Sequence, residues 1–293
     1  MPRHQILSRL SSRFPIVWVN RVLPWQQHMK RKLLPSRNRS DKPTAPHISD
    51  FYVADPAFFH GEYFRPARLA QWSQRARVLR AIKILRNEGC TRFVLYLWRP
   101  DFDYAIDVFN WNMTVYHIDD EYSFTETLQA VSPREVKLID RCDQVIVHSP
   151  RLMERKGYLN KKTAMIPNGV DFESYSKPHP EPEDLANIPR PRIGYIGVIK
   201  KQLNLSLLIE FAIANPALSV VMVGPVQAKH GIDSQLDQLQ AMNNVYFLGM
   251  KPLKQLPAYS RHLDVGLLPY QVNDYTNCIY PLKLHEYLAS GIP

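Results

Sequence analysis

The chain has 293 residues, 45% of them hydrophobic and 22% charged, with 37 Lys and Arg against 27 Asp and Glu for a net charge of +10. That length fits two globular domains, each with its own core. No apolar run reaches the roughly 20 residues that span a bilayer, and no apolar segment with a small-residue cleavage site opens the chain, so the composition reads as a cytosolic protein. The charge is uneven. The first fifty residues hold ten Lys or Arg, from Arg3 to Lys42, against only Asp41 and Asp50, a pattern expected either as a solvated face or as a peripheral contact with anionic membrane at the inner face of the plasma membrane. Without a zinc-finger, helix-turn-helix or RNP-type pattern beside that charge, no nucleic-acid partner is expected. Cys90, Cys142 and Cys278 form no C-x-x-C pair and read as free structural thiols.

In chain order, residues 14–19 (FPIVWV) read as a strand and 24–46 as a long basic loop. Leu69, Trp72, Ala76, Leu79, Ile82 and Leu85 then recur at helical spacing until Gly89 stops the helix. Strands at 93–97, 114–118, 144–148 and 163–166 follow, separated by helices at 132–142 and 151–157. Strands alternating with helices imply a parallel sheet covered on both faces. Residues 176–192 contain five prolines and read as an interdomain connection. Strands at 192–199, 218–223, 245–248 and 265–268 then alternate with helices at 203–214, 234–242, 252–261 and 281–290. The expected organisation is α/β with two Rossmann-like domains, 1–175 and 193–293, joined by 176–192. The last domain is expected to be incomplete, because only four βα units precede Gly291-Ile292-Pro293.

Such folds bind ligands in the loops beyond the strand C-termini. The chain has no G-x-G-x-x-G after a strand, no P-loop and no H-E-x-x-H, which removes the usual signals for dinucleotides, ATP hydrolysis and zinc proteolysis. The informative stretch is 280–291 (YPLKLHEYLASG). Pro281 suits the first helical position, Tyr280 is a poor cap, and Lys283 lies in the first turn where a cation opposes the helix dipole. A bound phosphate would reverse that penalty. Glu286 shares the face of Lys283 and could accept hydrogen bonds from a ribose diol, while a surface Lys–Glu pair is the plainer alternative. In the first half, His117, Asp119, Asp120 and Glu121 follow a buried-looking strand, a suitable place for acid–base chemistry or simply for Asp caps. Ser149 reads as a helix cap ahead of Pro150.

From about Met165 onward the ordered set IPNGVD (166–171), IGYIG (193–197), VVMVGP (220–225), NVYFLG (244–249), DVGLLPY (264–270) and PLKLHEYLASGIP (281–293) resembles the carboxy-terminal domain of GT-B, group-1 (family 4-like) glycosyltransferases. The first half resembles that family more loosely, through TVYHIDDEYSF (114–124). The resemblance implies transfer of a sugar from a UDP- or GDP-type donor, held by the second domain, to an acceptor hydroxyl on a glycan or glycolipid during cell-surface polysaccharide assembly. It assigns Glu286 to the donor ribose, Lys283 and Gly197 to the diphosphate, and Tyr270 to the flank of the nucleotide, with Pro281 at the same helix start. Lys200 and Lys201 stand loosely for a basic pair, and Cys278 replaces a carboxylate that many relatives carry. His117 and Asp120 are the catalytic candidates. No cofactor is implied, and the lysines and helix N-terminus make a metal unnecessary. A sugar-nucleotide 2-epimerase, or a non-catalytic nucleotide-sugar-binding fragment, is the alternative.

Overall fold

The computed structural model describes residues 2–20, 51–54, 67–124, 129–227 and 232–293. The basic loop 24–46 and the cations from Arg21 to Lys42 lie outside the described residues. The chain divides into two compact units, one formed by Met1–Ser123 with Gln129–Ile166 and the other by Phe124–Leu128 with Pro167–Pro293.

The first unit opens with helix α1 (Pro2–Leu10) and strand β1 (Ile16–Val19). A short strand β2 (Phe51–Ala54), which has no clear sequence signal, pairs with β1 in a two-stranded parallel sheet. Helix α2 (Ala67–Asn87) packs on β1 and ends where Gly89 turns the chain with φ +80°. The main sheet has strands β3 (Val94–Leu97), β4 (Met113–Ile118), β5 (Gln144–Val147) and β6 (Thr163–Met165), parallel and in sequence order. Between them run α3 (Pro133–Arg141) and α4 (Pro150–Lys156), whose caps Ser132 and Ser149 accept the N–H groups of Glu135 and Leu152 at 3.2 Å. Each helix begins on a proline, whose missing N–H costs nothing there.

The second unit starts before the expected connection. Helices α5 (Phe172–Ser176) and α6 (Glu183–Ala186) fall within it, so residues 176–192 are not a free linker. The physical reason is local: Leu185 and Ile188 are buried in the same apolar cluster as Ile196, Val221, Tyr259 and Tyr287, and the buried Arg192 guanidinium pairs with Glu181. The sheet has order β10-β7-β8-β9, all parallel, from β7 (Arg192–Ile196), β8 (Ser219–Val223), β9 (Val245–Gly249) and the two-residue β10 (Val265–Gly266). Helices α7 (Leu205–Ala214) and α8 (Asp233–Gln240) cover one face through Leu205, Leu208, Leu236 and Leu239. Helices α9 (Leu256–Arg261) and α10 (Leu282–Ser290) belong to the other cluster, where Tyr259 and Tyr287 are buried. β8 is buried at all five residues, as a central parallel strand covered on both faces must be.

Cys90, Cys142 and Cys278 are all free, and burial pushes the Cys142 thiol up to about 11. Among the described residues no helix is long and apolar enough to cross a membrane, and no group of three or more His, Cys, Asp or Glu could hold a metal ion.

Candidate functional site

The second unit brings three of the seven donor candidates read from sequence, Gly197, Tyr270 and Lys283, together at the end of β7. The chain leaves that strand at Gly197, where φ is +155° and a Cβ would overlap the Lys283 side chain and stand 2.8 Å from its Nζ. Glycine is therefore required for the close approach. The Lys283 ammonium lies 5.2 Å from the Tyr195 ring centroid and 3.4 Å from the Tyr270 hydroxyl, which it can donate to. Tyr195 and Tyr270 meet edge to face at 6.5 Å, and Tyr270 is fixed by an antiparallel bridge to Leu203. Helix α10 is anchored on the sheet by Tyr287, whose hydroxyl accepts the Ile196 N–H at 3.0 Å and whose ring fills the space a side chain at Gly266 would need.

Pro281 occupies the cap position of α10 rather than the first helical residue, because the helix begins at Leu282. No side chain caps the helix and no acidic residue lies in its first turn, so its leading N–H groups keep their positive end uncompensated while the Lys283 ammonium of the same turn reaches to Gly197. This is an arrangement that favours an anion. Glu286, half-buried one turn further on, lies beside the Tyr175 phenol; burial and then that carboxylate keep Tyr175 protonated far above the usual range. Lys200 and Lys201 stand in the turn closed by the Leu203 N–H on the Lys200 carbonyl, with no ion pair among the described residues. Cys278 is buried, its thiol donating to the Asp274 carbonyl at 3.3 Å, so that position offers no acceptor to a ligand.

In the first unit, β4 carries His117 into a buried aromatic setting. Its ring stacks on Trp98 at 4.2 Å, and Nδ1 shares a 2.9 Å hydrogen bond with the Tyr96 hydroxyl. Burial lowers its pKa to about 4; Asp119 opposes that shift, while His148 and Arg3 add to it. A neutral imidazole of such weak basicity is better suited to hydrogen bonding than to proton abstraction near neutrality.

The linkage is directional. The unfolded imidazole gains its proton near 6.5 and the folded one near 4, so this group's contribution to stability is full above about pH 6.5 and lost as pH falls through that interval. An NMR titration of the native protein is expected to show the His117 ring still neutral at about pH 5.5; a midpoint near 6.5 would show that the ring is not desolvated.

The three acidic residues after β4 separate into distinct roles. Asp119 is held by Arg3 of α1 through two bonds of 2.6 and 2.8 Å, and its Oδ1 lies 2.7 Å from the Tyr122 hydroxyl. Arg3 is thus committed to this ion pair rather than to the basic face expected of the first fifty residues. Asp120 accepts the N–H of Glu121 at 2.9 Å, the local cap weighed against its catalytic assignment. Glu121 turns inward. Its carboxylate meets Lys156 at 2.9 Å and Arg155 at 3.0 Å, and Lys156 also meets Glu135 at 2.8 Å. Burial alone would raise the Glu121 pKa, but Lys156, the Ser123 N–H and Arg155 outweigh it and hold the group below its usual value. Nothing in the sequence marks this buried network, since its members lie on three separate segments.

Two parallel Rossmann-like sheets and a helix N-terminus with a lysine over a glycine turn define the class of the fold, and comparison agrees: this is the GT-B fold. The chain superposes over its whole length on 75% of Anabaena Alr3699/HepE, a structure with UDP and glucose, with a TM-score of 0.65 at 15% identity. It also matches the pneumococcal O-GlcNAc transferase GtfA, solved with UDP and GlcNAc, over 76% of this chain and 44% of that one, with a TM-score of 0.52 at 16% identity. In sequence it is similar to the Bacillus subtilis "Putative teichuronic acid biosynthesis glycosyltransferase TuaH", 27% identical over 218 residues, 69% of this chain. The chain spans about half the length of that curated relative, 54%. No family model matches.

Proposed function

We propose that this chain is a glycosyltransferase that moves a sugar from a UDP-linked donor to an acceptor hydroxyl of a glycan or glycolipid during cell-surface polysaccharide assembly. The observation that carries this reading is the set Gly197, Tyr270 and Lys283 at the uncapped start of α10, which offers an ammonium, free N–H groups and a close backbone approach together. Departure of a nucleoside diphosphate builds negative charge on its terminal phosphate, and such preorganised donors stabilise that charge without a metal. The choice of UDP over GDP is supported by the nucleotide in the HepE and GtfA structures, and the polysaccharide acceptor by the TuaH likeness. Glu286 takes the ribose diol, Pro281 sets the helix start, and Lys200 and Lys201 meet the outer donor face. On the first unit, Asp120 receives the acceptor proton while neutral His117 orients the sugar by hydrogen bonding. The reaction belongs at the cytosolic face of the membrane.

The test is a panel of UDP-, GDP- and ADP-sugars with a polysaccharide or lipid-linked acceptor, read by product analysis. Acceptor-dependent release of UDP is expected. Conversion of the nucleotide sugar without acceptor would replace transfer by epimerisation, and binding without turnover would leave a nucleotide-sugar-binding protein. Within the same reading, Glu286→Gln should weaken UDP binding while leaving the fold intact, because a ribose acceptor is lost and helix propensity barely changes. A loss of about 5-fold is expected, because the Gln oxygen still accepts one hydroxyl and only about 1 kcal/mol of the contact with the charged carboxylate is lost. If 2′,3′-dideoxy-UDP lost as much affinity on mutation, the ribose would not be the partner.

A further inference from the structure

Helix α2 has a composition its fold does not require. Its 21 residues contain Arg68, Arg75, Arg77, Arg80, Lys83 and Arg86 and no acidic residue. Ala70, Ser73, Arg77, Val78, Ala81 and Ile82 turn inward, with the Arg77 guanidinium donating to the Asn20 carbonyl. The opposite face exposes Leu69 at 50%, Trp72 at 67% and Leu79 at 41%, interleaved with exposed Arg68, Arg75, Arg80 and Lys83. Spacings of three, four and seven place these side chains on one side of the helix. None of those four cations forms an ion pair among the described residues, so their charge is open to solvent.

We infer that the outward face of α2 is a docking surface for an anionic lipid membrane, on which the helix lies parallel to the bilayer plane. The chemistry commits to this partner on two grounds. Exposed Leu and Trp gain from entering the boundary between headgroups and acyl chains, which a dissolved polyanion does not offer, and the surrounding Arg and Lys complement anionic headgroups. The helix is too polar to insert across the bilayer, so the association is peripheral. The inference goes beyond the transferase reading and stands or falls without it.

Vesicle sedimentation tests it with the intact protein. Wild type should pellet with vesicles containing phosphatidylglycerol, should remain free with pure phosphatidylcholine, and should be released by salt. Arg75→Ser with Arg80→Ser should weaken binding about 30-fold, two cations near the surface each contributing about 5-fold. Trp72→Ser with Leu79→Ser should weaken it by at least about 10-fold, and brominated acyl chains should quench the tryptophan fluorescence of wild type but not of this variant. These side chains are exposed, so unchanged thermal melting is expected and separates lost binding from lost fold. The inference is overturned if both variants bind like wild type while neutralising the cations between Arg21 and Lys42 abolishes binding, or if a soluble anionic polysaccharide binds as tightly as the vesicles and the serine pair at positions 72 and 79 changes neither.

Discussion

Replacing Lys283 with alanine is expected to weaken UDP binding about 10- to 150-fold, the equivalent of roughly 1.5–3 kcal/mol for a charge-assisted contact. The Nζ of this side chain stands over the glycine turn, between the Tyr195 ring and the Tyr270 hydroxyl, where it is partly shielded from water and its field is correspondingly strong. Calorimetry with UDP and with uridine separates the roles. The loss should fall on UDP and spare uridine, since only the former carries the diphosphate; equal losses for both would remove Lys283 from the phosphate site. Lys283→Arg should rescue poorly, because the planar guanidinium needs room that the close contact with Gly197 does not leave.

The largest effect on stability is expected at Lys156. Its side chain is fully buried and its ammonium lies 2.9 Å from Glu121 and 2.8 Å from Glu135, both also buried. Lys156→Met would leave two carboxylates facing each other out of water, with Arg155 reaching only Glu121. Breaking one side of a buried ion pair costs about 3–5 kcal/mol. Urea denaturation should show a loss of that size. Arg151→Ala, which breaks an exposed pair with Glu154, should change stability by less than about 1 kcal/mol. The sign of the pH effect follows from the same geometry. Without Lys156 the burial of Glu121 loses its main opponent and the folded pKa of that carboxyl rises, so the folded state binds a proton more readily and the deficit should shrink as pH falls from about 7 to about 5. A deficit independent of pH would mean that lost packing, not the orphaned carboxylates, is responsible.

Much of the architecture was legible because strand and helix periodicities alternate cleanly, and strands such as 220–223 are apolar throughout. Two places resisted. β2 is four residues long and its pairing to β1 is non-local, so nothing nearby announces it. The proline-rich segment 176–192 looks solvated because its burial depends on only a few residues, notably Leu185, Ile188 and the aliphatic stem of Arg192. The uncapped start of α10 is readable in sequence because helix-terminus chemistry is local: Tyr280-Pro281 ahead of Lys283 already shows no capping side chain. Ion pairing was not: Arg3 and Asp119 are separated by 116 residues, and only the folded chain reveals that Asp119 is occupied. Likewise Glu121 reads from sequence as one more acidic residue after a strand, although its partners are Lys156 and Arg155.

The turn after β7 also constrains how this protein can vary. At Gly224, where φ is +144°, a Cβ would drive into the Gly197 carbonyl, just as a Cβ at Gly197 would drive into Lys283. The Gly197 N–H is tied to the Val223 carbonyl at 2.8 Å and the Gly224 N–H to the Gly249 carbonyl at the same distance, so neither backbone can retreat without breaking a sheet bond. A methyl group added at Gly224 thus meets backbone that is held in place, whereas one at Gly197 meets the tip of a lysine that can swing aside but is itself strained by the positive φ. Gradual drift is closed to these positions. A lineage that changed Gly224 would have to rebuild the loop at Gly197 in the same step, which makes these two glycines a heritable pair rather than independent sites.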